Sequence, residues 1–136
     1  MQQCIFDGAN MSLEDSHLDL SKTNMNGSSF KGTLLNGTKL IESQMNDCDL
    51  SFADLTGTVL QLTQLKNAKI KDIHSISQID SMVGCDFEDV DFGSIDLSGV
   101  DFRMCNLSGC KLGGEGRDVN VHGCNFEGES MLLLLL

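Results

Sequence analysis

The chain has 136 residues, with 20 acidic and 9 basic side chains and a net charge of −11. Its length suits a single domain, and its charge opposes direct nucleic-acid binding because phosphates repel it. No run approaches the ~18 consecutive apolar residues of a membrane span, and Met1-Gln2-Gln3-Cys4 opens no apolar signal segment, so neither membrane insertion nor export by a leader is expected.

Taken in chain order, apolar residues recur at every fifth position. Phe6 and Met11 open the pattern. An unbroken run follows: Leu20, Met25, Phe30, Leu35, Leu40, Met45, Leu50, Leu55, Leu60, Leu65, Ile70. A second run holds Met82, Phe87, Phe92, Leu97, Phe102, Leu107 and Leu112, and Val121 and Phe126 close the series. Six of the seven Phe residues occupy this position and only Phe52 does not, so the register is not accidental. Neither regular element uses such a spacing. Five residues turn a helix by about 500°, which would carry the apolar residues around its whole surface. On a straight strand an odd spacing flips the apolar residue to the opposite face each time. A corner in every repeat resolves the conflict.

The residues around each central apolar position agree. Two before it stand small residues: Thr23, Ser28, Thr33, Thr38, Ser43, Cys48, Ala53, Thr58, Thr63 and Ala68, then Cys85, Val90, Ile95, Val100, Cys105 and Cys110. Strand geometry puts them on the same inward face. The residue between points out and is often Asp or Asn, as at Asn24, Asp49, Asp54, Asn106 and Asn125. Nine of the fourteen Gly fall two residues after a central position, where a tight turn needs positive φ. A side of three extended residues spans roughly 10 Å, the distance over which facing sheets pack. Four such sides close a square tube, and its coils stack through parallel ladders.

Ala53-Asp54-Leu55-Thr56-Gly57, Cys85-Asp86-Phe87-Glu88-Asp89 and Cys105-Asn106-Leu107-Ser108-Gly109 carry the full unit. This pattern, over roughly residues 4–128, resembles the pentapeptide-repeat proteins. The resemblance implies an all-β fold, a right-handed quadrilateral β-helix, and roughly 25 units at four per coil give about six coils. One domain is expected over 1–130, with an irregular coil around 71–81 and an apolar tail over 131–136. The register shifts between Met11 and Leu20, between Ile70 and Met82, and between Leu112 and Val121. Solenoid insertions on one face often serve binding; shifts this small read as irregular corners.

Cys4, Cys48, Cys85, Cys105, Cys110 and Cys124 all hold the small inward position, where a free thiol acts as a small hydrophobe. Cys85, Cys105 and Cys124 are spaced to stack across coils. A soft-metal site or a disulfide would give that ladder a function, but thiols of one face do not surround a metal without a fourth ligand. A structural role in a reducing cytoplasm is preferred, with no metal and no cofactor. His17, His74 and His122 are isolated, no catalytic group assembles, and Gly113-Gly114-Glu115-Gly116 lacks the context of a phosphate loop, so no enzyme is expected.

The charge is uneven. Residues 1–71 carry 8 acids and 6 bases, and residues 72–136 carry 12 and 3. Seven acids and no base lie from Asp80 to Asp101. Asp86, Asp91, Asp96 and Asp101 hold the outward position on four consecutive sides, and Glu88 and Asp89 join them as a candidate protein-interaction surface. The first expectation is therefore a non-enzymatic scaffold, an acidic rod facing a protein partner. Some pentapeptide-repeat proteins mimic duplex DNA and bind DNA gyrase. Roughly 14 Å of acidic axis matches the span of about eight phosphates, so the resemblance implies a second expectation: a basic DNA-binding protein such as gyrase as partner. A third is a secreted bacterial effector, since some carry such repeats. Met131-Leu132-Leu133-Leu134-Leu135-Leu136 reads as an end cap or as a homodimer contact at the C-terminal end.

Overall fold

The computed structural model describes residues 1–12, 18–73, 76–93, 95–112 and 119–126. Parallel bridges arrange them in four columns. Asn24, Gln44, Gln64, Asp86, Asn106 and Asn125 are successive rungs of one column. Asp19, Lys39, Val59 and Ser81 form a second, Ile5, Ser29, Asp49 and Lys69 a third, and Asn10, Leu34 and Asp54 a fourth. Named strands are short, because each side bends after three residues: β1 (Asp91–Gly93) pairs in parallel with β2 (Lys111–Leu112). A 3-10 turn covers Ile76–Gln78.

Each corner is closed by a bond from the N–H of the next small residue to the carbonyl of the central one, as from Thr33 to Phe30 at 3.0 Å. The second turn residue has positive φ, and Gly is not its only occupant. Phe52 (φ 62), Leu62 (φ 57) and Met104 (φ 62) adopt the same conformation as Gly57 (φ 67). Phe52, the one Phe outside the apolar register, is therefore a corner residue, and it is 46% exposed.

The small inward position is chemical as well as steric. The Cys48 thiol donates to the Met25 carbonyl at 3.1 Å, Thr58 Oγ1 to Leu35 at 3.2 Å and Thr63 Oγ1 to Leu40 at 2.6 Å, one coil back. That carbonyl already accepts the N–H of its own corner, as Met25 accepts Ser28 at 3.0 Å. Both lone pairs are used, and the buried polar side chain is satisfied.

The central residues fill the tube. Phe30, Leu35, Leu40 and Met45 are fully buried. Phe6 stacks on Phe30 at 5.0 Å, and Phe87, Phe92 and Phe102 meet edge to face at 5.4–5.8 Å.

Bridge spacing locates the irregularities. Ile5–Ser29 and Asn10–Leu34 are 24 residues apart, against 20 for Asp19–Lys39, so the shift after Met11 is four extra residues at one corner rather than one missing. Val59–Ser81 and Gln64–Asp86 are 22 apart, which places two extra residues between Ile70 and Met82. Asp101–Asn120 and Asn106–Asn125 are 19 apart, one short. His17, His74, the glycines at 113, 114 and 116, and the tail 131–136, with its expected cap or dimer contact, lie outside the described residues. Among the described residues no helix is long and apolar enough to cross a membrane.

Candidate interaction surface

The outward Asp and Asn residues have a structural task that precedes any recognition. Asp49 Oδ1 accepts the Ser51 N–H at 3.0 Å, and Asp54 Oδ1 that of Thr56 at 3.0 Å. Asn106 does the same for Ser108 at 3.2 Å, and Asn120 for His122 at 3.2 Å. The side chain satisfies the first free N–H of the corner, which is why Asp and Asn recur there.

The six acids of the candidate surface follow this rule with differing surroundings. Asp86 is half-buried; its Oδ1 accepts the Glu88 N–H at 3.1 Å and the Asn106 amide at 2.9 Å. Asp91 Oδ1 accepts the Gly93 N–H at 2.9 Å, and its Oδ2 accepts Lys111 Nζ at 3.1 Å. Asp96 Oδ1 accepts the Ser98 N–H at 2.9 Å. Asp101 accepts the Arg103 N–H at 3.1 Å and lies 2.7 Å from its guanidinium. The hydrogen bond from Arg103 holds the Asp101 carboxyl below the usual carboxylate range and raises Arg103 in turn. Glu88 accepts Lys66 Nζ at 2.7 Å, which raises the lysine's pKa. Asp89 takes the positive-φ corner position (φ 60) beside Gly109. Glu88, Asp91 and Asp101 thus have cationic neighbours. Two of those partners lie 20 and 22 residues away in sequence, one coil apart, so inspection of Asp80–Asp101 alone does not reveal them.

The surface is also not smoothly convex. A cleft of about 450 Å³ opens beside it, lined by Ala68, Ile70, Phe92 and Ile95 and rimmed by Lys69, Lys71, Asp72, Asp89 and Asp91. Sequence reasoning missed it, although the two extra residues before Met82 were its signal.

The cysteines are free thiols; Cys48, Cys85, Cys105 and Cys110 are buried, and Cys4 and Cys124 half-buried. Burial pushes the Cys48 thiol up to about 11 and Cys85 upward as well. Among the described residues no cluster of His, Cys, Asp and Glu has the arrangement of a metal site.

Solved structures similar to this chain share its repeat but little sequence. A pentapeptide repeat protein from the Arabidopsis thaliana thylakoid lumen is 19% identical, with 80% of this chain and 63% of that one covered and a TM-score of 0.46. HetL, a pentapeptide repeat protein involved in heterocyst differentiation regulation in the cyanobacterium Nostoc, is 15% identical over 92% of this chain and 46% of its own, at TM-score 0.45. The chain therefore spans less than two thirds of either protein. QnrB1, a plasmid-mediated fluoroquinolone resistance protein, is 14% identical over 93% of this chain and 81% of its own, at TM-score 0.38. No curated protein matches the sequence significantly. The family model for pentapeptide repeats matches residues 16–51, 43–72 and 81–114 with eight copies. Members of that family fold as right-handed quadrilateral β-helices and are generally non-enzymatic structural or binding proteins. With the repeat model covering most of the chain and four columns of stacked rungs, this protein belongs to the pentapeptide-repeat family.

Proposed function

We propose that the chain is a non-enzymatic scaffold, an acidic rod of about six coils that binds a protein partner through the surface of Asp86, Glu88, Asp89, Asp91, Asp96 and Asp101. The observation that carries this reading is the concentration of outward carboxylates on consecutive sides of one coil, in a half of the chain with 12 acids and 3 bases. The six rungs from Asn24 to Asn125 support the coil count. The buried free thiols support a cytoplasmic, reducing location.

Changing Asp86, Asp91, Asp96 and Asp101 together to Asn tests the reading cleanly. Asn keeps the oxygen that accepts the corner N–H and removes only the charge. The exposed pairs with Lys111 and Arg103 are worth about 0–1 kcal/mol each, so folding is retained. Partner captured from the native cytosol at low salt is expected to be lost with the four-Asn variant and with rising salt, because exposed charges are screened over about 10 Å at 0.1 M. Equal capture by both forms across salt concentrations removes the acidic surface from the account.

DNA mimicry is the narrower reading, with a basic DNA-binding protein such as gyrase as partner. The run of seven acids without a base favours it; the neighbouring Lys66, Lys111 and Arg103 weaken its field. A gyrase supercoiling assay, with duplex DNA as competitor, decides between the two.

A further inference from the structure

The coils 59–80 and 81–100 are tightly joined on two sides. Leu60 N–H meets the Ser81 carbonyl at 2.7 Å, Leu62 meets Val83 at 3.1 Å, Leu65 meets Asp86 at 2.7 Å and Asn67 meets Glu88 at 2.8 Å. On the next side the ladder stops. Among the described residues no hydrogen bond takes up the N–H of Ile70, Asp72 or Asp91, and no backbone N–H reaches the carbonyl of Ala68. One coil earlier the same side is closed, by Leu50 to Lys69 at 2.7 Å and Phe52 to Lys71 at 2.9 Å. Continued by one coil, that register pairs Ile70 N–H with the Asp91 carbonyl and Asp72 N–H with that of Gly93. Ile70 is only 3% exposed, so its free N–H is not simply turned to bulk solvent.

The opening coincides with the 450 Å³ cleft. A single three-residue rung, roughly 10 Å long, 4.8 Å thick and 10 Å deep, fills roughly 480 Å³. The cleft therefore has the volume of one absent rung. Its lips offer backbone donors and acceptors, and its floor of Ala68, Ile70, Phe92 and Ile95 is apolar. On its rim Asp89 has no ion-pair partner among the described residues.

We propose that this cleft accepts an extended segment of a partner protein as an inserted rung, with apolar side chains on the floor and a Lys or Arg of the segment against Asp89. Main-chain bonds supply affinity, as in other strand additions, and alternating side chains supply selectivity. The inference rests on the protein-binding reading, but it does not require the acidic coil to be recognised elsewhere.

The test uses the full chain, labelled with ¹⁵N, and a synthetic pentapeptide KVAVK blocked at both ends. A second copy of the peptide carries methyl groups on both valine nitrogens, which removes donors without changing charge. Saturable amide shifts centred on Ile70, Asp72, Asp91 and Gly93, with the methylated peptide at least roughly tenfold weaker, are expected. Equal binding of the two peptides, with shifts spread over Asp96 and Asp101, overturns the inserted rung and leaves the acidic surface standing. No binding of either peptide at millimolar concentration overturns it too, as a water-filled cleft would give; the four-Asn salt series then decides the acidic surface separately.

Discussion

From Asp19 to Lys69 the bridged rungs lie 20 residues apart, whereas beyond Val59 the spacings run 22, 20 and 19. The corner chemistry is nevertheless the same in both stacks. Asp54 and Asp96 each accept a corner N–H, and Cys48 and Cys105 each donate to a central carbonyl at 3.1 Å. What differs is the closure of the ladder and the charge around it. The first stack is nearly neutral and its ladder is continuous; the second is acidic and opens at Ile70–Asp72. A pentapeptide unit therefore sets local geometry, while the number of residues per coil decides whether neighbouring coils meet. Two residues added between Ile70 and Met82 suffice to part them on one side.

Substitutions in the two stacks sharpen this contrast. Leu55→Asp has the largest expected effect, because it buries an unpaired charge at a site 2% exposed in the closed stack. A loss of about 4 kcal/mol or more is expected, and thermal melting reads it. Its outward neighbour makes the control: Asp54→Ala removes the acceptor of the Thr56 N–H and is expected to cost about 1 kcal/mol. Equal melting temperatures for the two variants would reverse the assignment of inside and outside.

In the second stack Phe92→Ala removes the ring that touches both Phe87 and Phe102 beside the cleft. About 3–5 kcal/mol is expected for truncating a buried Phe. Because the ladder is already open there, the loss is expected to appear as a separate early transition of the acidic half in denaturant. A single cooperative transition shared by both halves would show that the two stacks are one unit.

The thiols give a pH signature in the first stack. Cys48 stays protonated when folded, with its pKa raised by burial from 9.0 to about 11. The unfolded thiol ionises first, so the stability from this group is complete below pH 9.0 and declines as pH rises toward 11. The decline is expected to reach about 2 kcal/mol and to vanish in Cys48→Ala, as melting at several alkaline pH values checks.

Smaller effects belong to the corners. Gly84 has φ 74, and a Cβ there would lie 2.7 Å from Leu62 Cδ2. Gly84→Ala is expected to cost about 1–2 kcal/mol, part of which Leu62→Ala added to the same chain returns. Full additivity of the two changes would mean that the contact is not the source.

The period of five made the tube legible from Phe6 to Phe126, since no helix or straight strand buries such a pattern. The Asp and Asn positions were read as outward, which they are, but their bonds to corner N–H groups were not visible without coordinates. The same holds for the counter-charges: Lys66 and Lys111 reach Glu88 and Asp91 only because coils stack at about twenty residues. The cleft was hidden for a related reason. A register shift states how many residues are added, not which side they leave unpaired.

Amide hydrogen exchange of the free protein, resolved residue by residue, tests the division into a closed and an open stack most directly. Leu50, Leu65 and Asp86, whose N–H groups sit in the ladder, are expected to exchange slowly, and Ile70, Asp72 and Asp91 at least tenfold faster despite the burial of Ile70. Protection of Ile70 and Asp91 equal to that of Leu65 would mean that the ladder closes in solution, and it would contradict both the open stack and the site proposed within it.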